Sequence, residues 1–304
     1  MNKKATPYIL LLGTLFGTTL VVSRFSIVQF SPITYIGLRL SLVSLFFVMM
    51  YTLRIGKQGW PQGRELWGRG ALMGVMGTAI PMVGIVSSLQ YLSSGLTSIL
   101  ITISPAITVL MAHFFLENER LSQRKGAGII LAVSGALLLV ILGESGLPDV
   151  SQANPIGYAL VLGGMFSGSI MTIYTRKYMQ SFHVMDVTGI RMFAGALFVM
   201  PVSVFFEGFD LSQVNLQGIM GLLFAAVVGT FLGFLLSFYN IQQFGATAAV
   251  MTSYIVPVVT GLIGVLFLGE HITWGMMTAI LLIILGVWMI NSRWTLKTAP
   301  KPCC

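Results

Sequence analysis

Ten long apolar runs, separated by short turn-forming or charged stretches, constrain this chain more than any other feature. They lie near 8–28, 32–53, 70–92, 95–116, 125–142, 154–175, 184–206, 216–239, 245–268 and 272–291. A helix needs about 20 predominantly apolar residues to cross a bilayer, and each run is of that order. Turn signals punctuate them: Ser31-Pro32, Gly59-Trp60-Pro61, Ser93-Ser94-Gly95, Gly146-Leu147-Pro148, Asn154-Pro155 and Gly208. Only 9% of the residues are charged, against about 25% in soluble domains. So little charge cannot cover a water-facing surface, and lipid has to cover it instead. The predicted fold class is an all-α integral membrane protein of ten transmembrane helices.

The net charge of +8 invites a nucleic-acid reading. However, the basic residues sit in short clusters between apolar runs, with no aromatic-basic platform, and no nucleic-acid partner is predicted. The first run follows Lys3-Lys4 and meets Arg24 without a small-residue cleavage site, so it reads as a retained helix rather than a signal peptide. Cys303 and Cys304, in the predicted cytoplasmic tail 295–304, can neither staple the fold nor supply metal spacing. Lipidation of that pair would add little anchorage to a multispanning chain.

Charge placement sets the predicted orientation. With the N-terminus inside, all but three of the 17 Lys and Arg residues fall in inner segments. The exceptions are Arg24, near the outer end of the first run, and Arg39 and Arg191, inside runs. Glu144, Asp149, Glu207, Asp210 and Glu270 fall outside. The positive-inside rule therefore predicts a multi-pass inner- or plasma-membrane protein with both termini cytoplasmic. Trp60 and Trp67, in the predicted basic loop 54–69, suit an interfacial belt.

The two halves of the chain align at a nearly constant offset. Arg24 and Arg176, Arg39 and Arg191, and Pro105 and Pro257 are each 152 residues apart. Gly13 and Gly164, and Glu119 and Glu270, are 151 apart; Gly95 and Gly245 are 150 apart. This predicts two five-helix repeats, 1–148 and 149–294. A unit of five helices starts on one side and ends on the other, so its second copy must be inverted. Inverted repeats are a signature of secondary transporters, whose sites lie between the repeats near the midplane.

The same residues carry a family resemblance. Gly95 to Glu119, with Pro105 and the ending Phe115-Leu116-Glu117-Asn118-Glu119-Arg120-Leu121-Ser122, looks like the end of an EamA repeat. So does Gly245 to Glu270, with Pro257 and Phe267-Leu268-Gly269-Glu270. With Arg39 and Arg191 early in the second and seventh runs, nearly the whole chain resembles the ten-helix EamA branch of the drug/metabolite transporter superfamily. One extra residue in Glu117-Asn118-Glu119 leaves open which of the two acids corresponds to Glu270. The resemblance implies export of metabolites or drugs and names no single substrate.

Candidate substrate-binding residues come from polar positions at membrane depth. At 100° per residue, Ser94, Thr97, Ser98, Ser104, Pro105, Thr108 and Ala112 share one face of the fourth run. Ala246, Thr247, Val250, Ser253, Tyr254, Pro257, Thr260, Gly261 and Gly264 share a face of the ninth. Such faces serve either close helix packing or a hydrogen-bonding cavity wall. Pro105 and Pro257 are candidate hinges, because each frees a backbone carbonyl. Arg39 and Arg191 are costly inside a membrane. They either bind an anionic group of the substrate or act structurally, with Asp186 a local counter-charge to Arg191. Gln90 and Tyr91, and Asn240 beside Tyr239, close the third and eighth runs. The expected cavity is lined by runs four and nine and by the ends of three and eight.

No enzyme signature is present. His113 and Glu117 lack the second histidine of a zinc motif, there is no Ser/His/Asp set or phosphate loop, and no cofactor or metal is predicted. No acid occupies the centre of a run, so proton coupling stays open, through Asp186, His113 or neither. Nothing in the sequence sets the oligomeric state. The function predicted is a secondary transporter for small polar, amino-acid-like metabolites or drugs, in contact with lipid and working by alternating access. The alternatives are a channel-like passive pore and a non-transporting receptor or scaffold. The orientation is testable directly. Single cysteines placed in 144–152 or 207–213 should react with an impermeant thiol reagent added outside, while those in 56–68 or 118–124 stay protected. The reverse pattern would overturn it.

Overall fold

A computed structural model describes residues 5–54, 59–115, 121–148 and 152–291, without the side chains of 245–251 and 291. The expectations for Glu117, Glu119 and the tail 295–304, and for the side chains of Gly245, Ala246, Thr247 and Val250, lie outside these residues. Ten helical segments follow in order: α1 Thr6–Ser26, α2 Pro32–Thr52, α3 Arg64–Ser88, α4 Ser94–Phe115, α5 Gln123–Leu142, α6 Pro155–Tyr178, α7 Val184–Glu207, α8 Leu216–Phe244, α9 Thr252–Leu268 and α10 Trp274–Asn291. The first eight are long and apolar enough to cross a membrane, and α9 and α10 are shorter apolar helices. Their outer faces present apolar side chains such as Phe205, Phe206, Phe267 and Trp274, about 80% exposed. Lipid is the solvent that accepts such a surface.

Local chemistry sets the ends. Ser93, Ser122, Asn154 and Asn215 accept hydrogen bonds from backbone N–H groups in the first turns of α4, α5, α6 and α8. Pro32 and Pro155 open α2 and α6, where a missing N–H costs nothing. Gly143, Gly208 and Gly269 close α5, α7 and α9 with φ of 63°, 74° and 64°, a conformation that favours glycine.

Three boundaries differ from the sequence reading. α3 starts at Arg64, not near 70, so Trp67 stands on a helix and not in a loop. An ion pair between Glu65 and Arg69, one turn apart at 2.6 Å, and Trp67 Nε1 donating to the Pro61 carbonyl support this polar first turn. α4 is broken at Thr102-Ile103 into Ser94–Ile101 and Ser104–Phe115, because Pro105 cannot donate to the preceding turn. Helical backbone also continues from α8 into α9, within Gly233–Leu268. The chain reverses there nonetheless. Phe234 meets Phe16 of α1 and Tyr239 and Phe244 meet Tyr8, whereas Gly13 then faces Ile255 and Gly17 faces Val259. α8 thus runs antiparallel to α1, and α9 parallel to it.

The packing has the symmetry of inverted repeats. α2 packs on α7, α4 on α9 and α5 on α10, each against its own counterpart; α1 lies against α8 and α9 as α6 lies against α3 and α4. The α5–α10 pair is reciprocal in detail. Gly128 meets the backbone of Gly286, and Gly135 meets that of Ala279. Gly128 corresponds to Ala279, and Gly135 to Gly286, at an offset of 151. Small residues let the two backbones touch, which is how helices associate where lipid removes the hydrophobic drive. A Cβ at Gly128 would stand 2.6 Å from the Gly286 carbonyl oxygen. Gly128→Leu should therefore cost about 1–3 kcal/mol or more, read as a lower melting temperature in detergent. Gly126→Leu, with open space around it, should melt like the parent.

Candidate functional site

The two intramembrane arginines are built into the repeat interface as a reciprocal pair. Arg39 of α2 is buried, and its Nε donates to Thr230 Oγ1 of α8 at 2.5 Å; its Nη1 donates to Ser23 Oγ of α1 at 3.3 Å. Arg191 of α7 donates from Nε to Thr78 Oγ1 of α3 at 3.1 Å, and from Nη2 to the Gly77 carbonyl at 3.2 Å. Thr78 and Thr230 are 152 residues apart, the offset that relates the arginines. Each arginine therefore reaches from one repeat to the same threonine of the other.

Both threonines lie in π-helical segments, Val75–Ala79 and Ala225–Leu232. A π turn is wider by one residue and disturbs the usual hydrogen-bond ladder. Each threonine hydroxyl donates five residues back, Thr78 to the Met73 carbonyl at 3.4 Å and Thr230 to the Ala225 carbonyl at 3.2 Å. Its oxygen is then left to accept from the guanidinium. The glycine before each threonine makes room. A Cβ on Gly229 would stand 2.8 Å from Arg39 Nη2, and one on Gly77 would be 3.8 Å from Arg191 Nη2. Asp186 does not serve as the counter-charge to Arg191. It lies beside Tyr51 and His183, and the Tyr51 hydroxyl donates to the neighbouring Met185 carbonyl at 3.0 Å.

Two carboxylates bind helix N-termini across the same interface. Glu207, at the end of α7, accepts from the N–H groups of Ile33 and Thr34 at 3.2 and 2.8 Å. Glu270, after α9, accepts from the N–H groups of Ser94 and Gly95 at 2.7 and 2.9 Å and from Ser94 Oγ at 2.9 Å. It is only 5% exposed. Unpaired N–H groups and the helix dipole both favour an anion at such a position. Both ties stand at the end of the bundle opposite the one where α1 begins.

α4 and α9 meet at their prolines. Pro257 has no N–H for the Ser253 carbonyl, and Thr102 Oγ1 donates to that carbonyl from α4 at 3.2 Å. Thr102 sits in the break just before Pro105, so the two irregular points support one another. Two other hydroxyls of the predicted polar faces are used locally. Ser98 Oγ donates to the Gly95 carbonyl at 2.6 Å, and the Ser104 carbonyl accepts from Thr108 Oγ1 at 2.8 Å. Ser104, Ser253 and Tyr254 are half-buried; Ser98, Pro105 and Pro257 are buried.

The predicted polar residues do not converge on one point. Gln90 is exposed where α3 ends, with Tyr91 half-buried against Gly157 of α6. Asn240 is fully buried near the other end of the bundle, at the level of Tyr8, and neither amide atom has a partner among the described residues. His113 accepts from the Leu121 N–H at 3.3 Å.

Among the described residues two apolar crevices flank the interface, and neither is lined by a residue of α4 or α9. One, of about 530 Å³, lies in the half where α1 begins, between α1, α7 and α8. The other, of about 290 Å³, lies in the opposite half between α2, α3, α6 and α7. They are equivalent: Leu11, Met185, Leu232 and Leu235 of the first stand 152 residues from Gly163, Ile33, Ile80 and Val83 of the second.

Sequence reasoning missed Thr78, Thr102, Thr230 and the capping role of Glu207. The repeated Gly77-Thr78 and Gly229-Thr230 dipeptides, at the arginines' offset, were the available signal. Thr230→Val, which keeps the shape and removes the acceptor, should destabilise the protein by about 1–3 kcal/mol. Thr78→Val should do the same, and each should be nearly silent on top of the matching Arg→Leu change in a double-mutant cycle read by thermal melting.

The sequence profile of the EamA-like transporter family matches residues 3–141 and again residues 155–292. An uncharacterised transporter of Archaeoglobus fulgidus is 26% identical over 91% of this chain and 95% of its own. A probable amino-acid metabolite efflux pump of Salmonella typhimurium is 25% identical over 95% of each chain. A probable terminal-alkyne amino-acid exporter of Streptantibioticus cattleyicolor is 26% identical over 73% of this chain and 72% of its own. A crystal structure shares the fold, with a TM-score of 0.67 at 18% identity over 95% of this chain and 99% of the other. With its two profile matches covering both halves of a ten-helix bundle, the chain belongs to the EamA-like transporter family.

Proposed function

We propose that this transporter exports or exchanges small polar, amino-acid-like metabolites by alternating access, in an inner or plasma membrane with both termini cytoplasmic. One observation carries the mechanism: equivalent crevices of about 530 and 290 Å³ occupy opposite halves of the bundle. If the two repeats exchange conformations, the large crevice and the small one exchange sides, and access passes from one face of the membrane to the other. Two of the relatives named above are described as handling amino acids or their metabolites, which favours such a solute here.

In this reading Arg39 and Arg191 hold the repeats in register, each with two of its N–H donors given to protein oxygens: Thr230 and Ser23 for Arg39, Thr78 and the Gly77 carbonyl for Arg191. Solute contact falls to Ser104, Ser253 and Tyr254, on the helices that bend at Pro105 and Pro257, and to Asn240, whose amide has no partner among the described residues. Gln90 and Tyr91 close the opposite end. A break already stands before Pro105, so bending there costs little.

Counterflow in proteoliposomes tests the reading, with labelled amino acids outside and a graded series of unlabelled ones inside. A carrier gives saturable uptake stimulated from the other side. Linear flux without such stimulation indicates a pore, and binding without flux indicates a receptor. Pro257→Ala restores the N–H to the helix and should slow exchange about tenfold or more while leaving solute affinity within about twofold. Unchanged exchange would remove Pro257 from the hinge.

A further inference from the structure

The two arginines that tie the repeats together are equivalent in sequence and unequal in their surroundings. Arg39 is only 5% exposed, whereas Arg191 is half-buried. A guanidinium carries five N–H groups in one plane. Arg39 uses two sides of that plane, with Nε on Thr230 and Nη1 on Ser23. Its Nη2 lies close against Gly229, where a Cβ would come within 2.8 Å. Arg191 gives away one edge, with Nε on Thr78 and Nη2 on the Gly77 carbonyl, both in α3. The residue equivalent to Ser23 is Thr175, at the arginines' own offset of 152. Its hydroxyl donates to the Met171 carbonyl at 2.7 Å and lies 3.8 Å from Met73 Sδ, and among the described residues it makes no bond to Arg191. Nη1 of Arg191 therefore keeps both of its N–H groups, and Nη2 keeps one. One from each nitrogen points along the outer end of the plane, side by side. That fork matches the two oxygens of a carboxylate.

No charge on the protein answers it. Asp186 lies beside Tyr51 and His183, and among the described residues no carboxylate forms an ion pair with Arg191. Phe234 of α8 covers one face of the guanidinium, its ring centroid 5.3 Å from Cζ. Such a ring stabilises a cation and leaves its edge open. The site stands between the repeats. Gly77 and Thr78 belong to α3, and a Cβ on Gly77 would meet Met171 of α6 at 2.9 Å; Phe234 belongs to α8 and packs on Phe16 of α1. Arg191 follows Val184 by seven residues, roughly 10 Å into α7 at the helical rise. Transporters built from inverted repeats hold their solutes between the repeats at such depths.

We propose, resting on the carrier reading above, that the free end of Arg191 binds the carboxylate of the transported solute. One side chain then has two uses: its Nε edge holds α7 to α3, and its outer end takes the solute. This narrows the solute to a carboxylic acid such as an amino acid. The amine left when the carboxylate is removed lacks the contact.

Phenylglyoxal tests the site on the wild-type chain in lipid nanodiscs, because the dicarbonyl condenses with the two Nη nitrogens of an arginine. Peptide mass spectrometry follows the modification of Arg191. Arg64, exposed at the start of α3, is the internal reference and corrects for reagent consumed by added amines. The probes are the common amino acids, added singly, and the primary amines that result from their decarboxylation. Arg191 should be modified. At least one amino acid should slow that reaction relative to Arg64, by about tenfold at about ten times its Kd, and the matching amine should not. An unreactive Arg191, no protection by any amino acid, or equal protection by the amines would each overturn the proposal. Arg191→Lys keeps the charge and removes the fork, so the protecting amino acid, radiolabelled, should bind this variant about tenfold or more weakly. Unchanged affinity would likewise overturn it. Protection of Arg191 without counterflow counts against the carrier reading and leaves the site standing. Counterflow of an amino acid that leaves Arg191 unprotected does the reverse.

Discussion

A polar group placed in hydrocarbon has to be satisfied by protein, and the contact between the two halves of this transporter is organised around that requirement. Arg39 and Arg191 need acceptors at membrane depth and find them on Thr230 and Thr78. The first turns of α2 and α4 need acceptors for their N–H groups and find Glu207 and Glu270. The carbonyl orphaned by Pro257 needs a donor and finds Thr102. Every one of these contacts runs from one repeat to the other. Apolar packing alone could not specify the interface, since lipid chains are as apolar as leucine. The polar contacts and the close glycine crossings between α5 and α10 select one register among many.

Among the described residues the contacts are not distributed evenly between the two ends. The arginine–threonine pairs are reciprocal, one for each repeat, and belong equally to either half. The two carboxylate caps stand together at one end, where the crevice is the smaller. At the equivalent position beside α7, Tyr51 donates to a carbonyl instead of an acid accepting from N–H groups. In the proposed cycle the arginine pairs keep the repeats in register. The π turns at Thr78 and Thr230 are part of the same economy: a locally widened helix offers a hydroxyl at the depth where an arginine waits.

The sequence alone determined the ten apolar helices, the five-helix repeat and its inversion. These depend on composition, helix length and parity, which are properties of the chain read in one dimension. It also pointed to Arg39, Arg191, Pro105 and Pro257 as the irregular elements of an apolar interior, because charge and proline are costly there wherever the helix packs. Tertiary structure decided what those residues touch. Gln90 and Asn240 match in sequence yet stand at opposite ends, as inversion requires. Asp186 is near Arg191 in sequence yet lies beside Tyr51 and His183. Glu270 reads as an outer-loop acid, and only the arrival of α4, 176 residues earlier in the chain, makes it a buried cap. The physical reason is the same in each case. Hydropathy depends on a residue's own chemistry, whereas a hydrogen bond in the membrane needs a partner within about 3 Å, and only the folded chain brings that partner there.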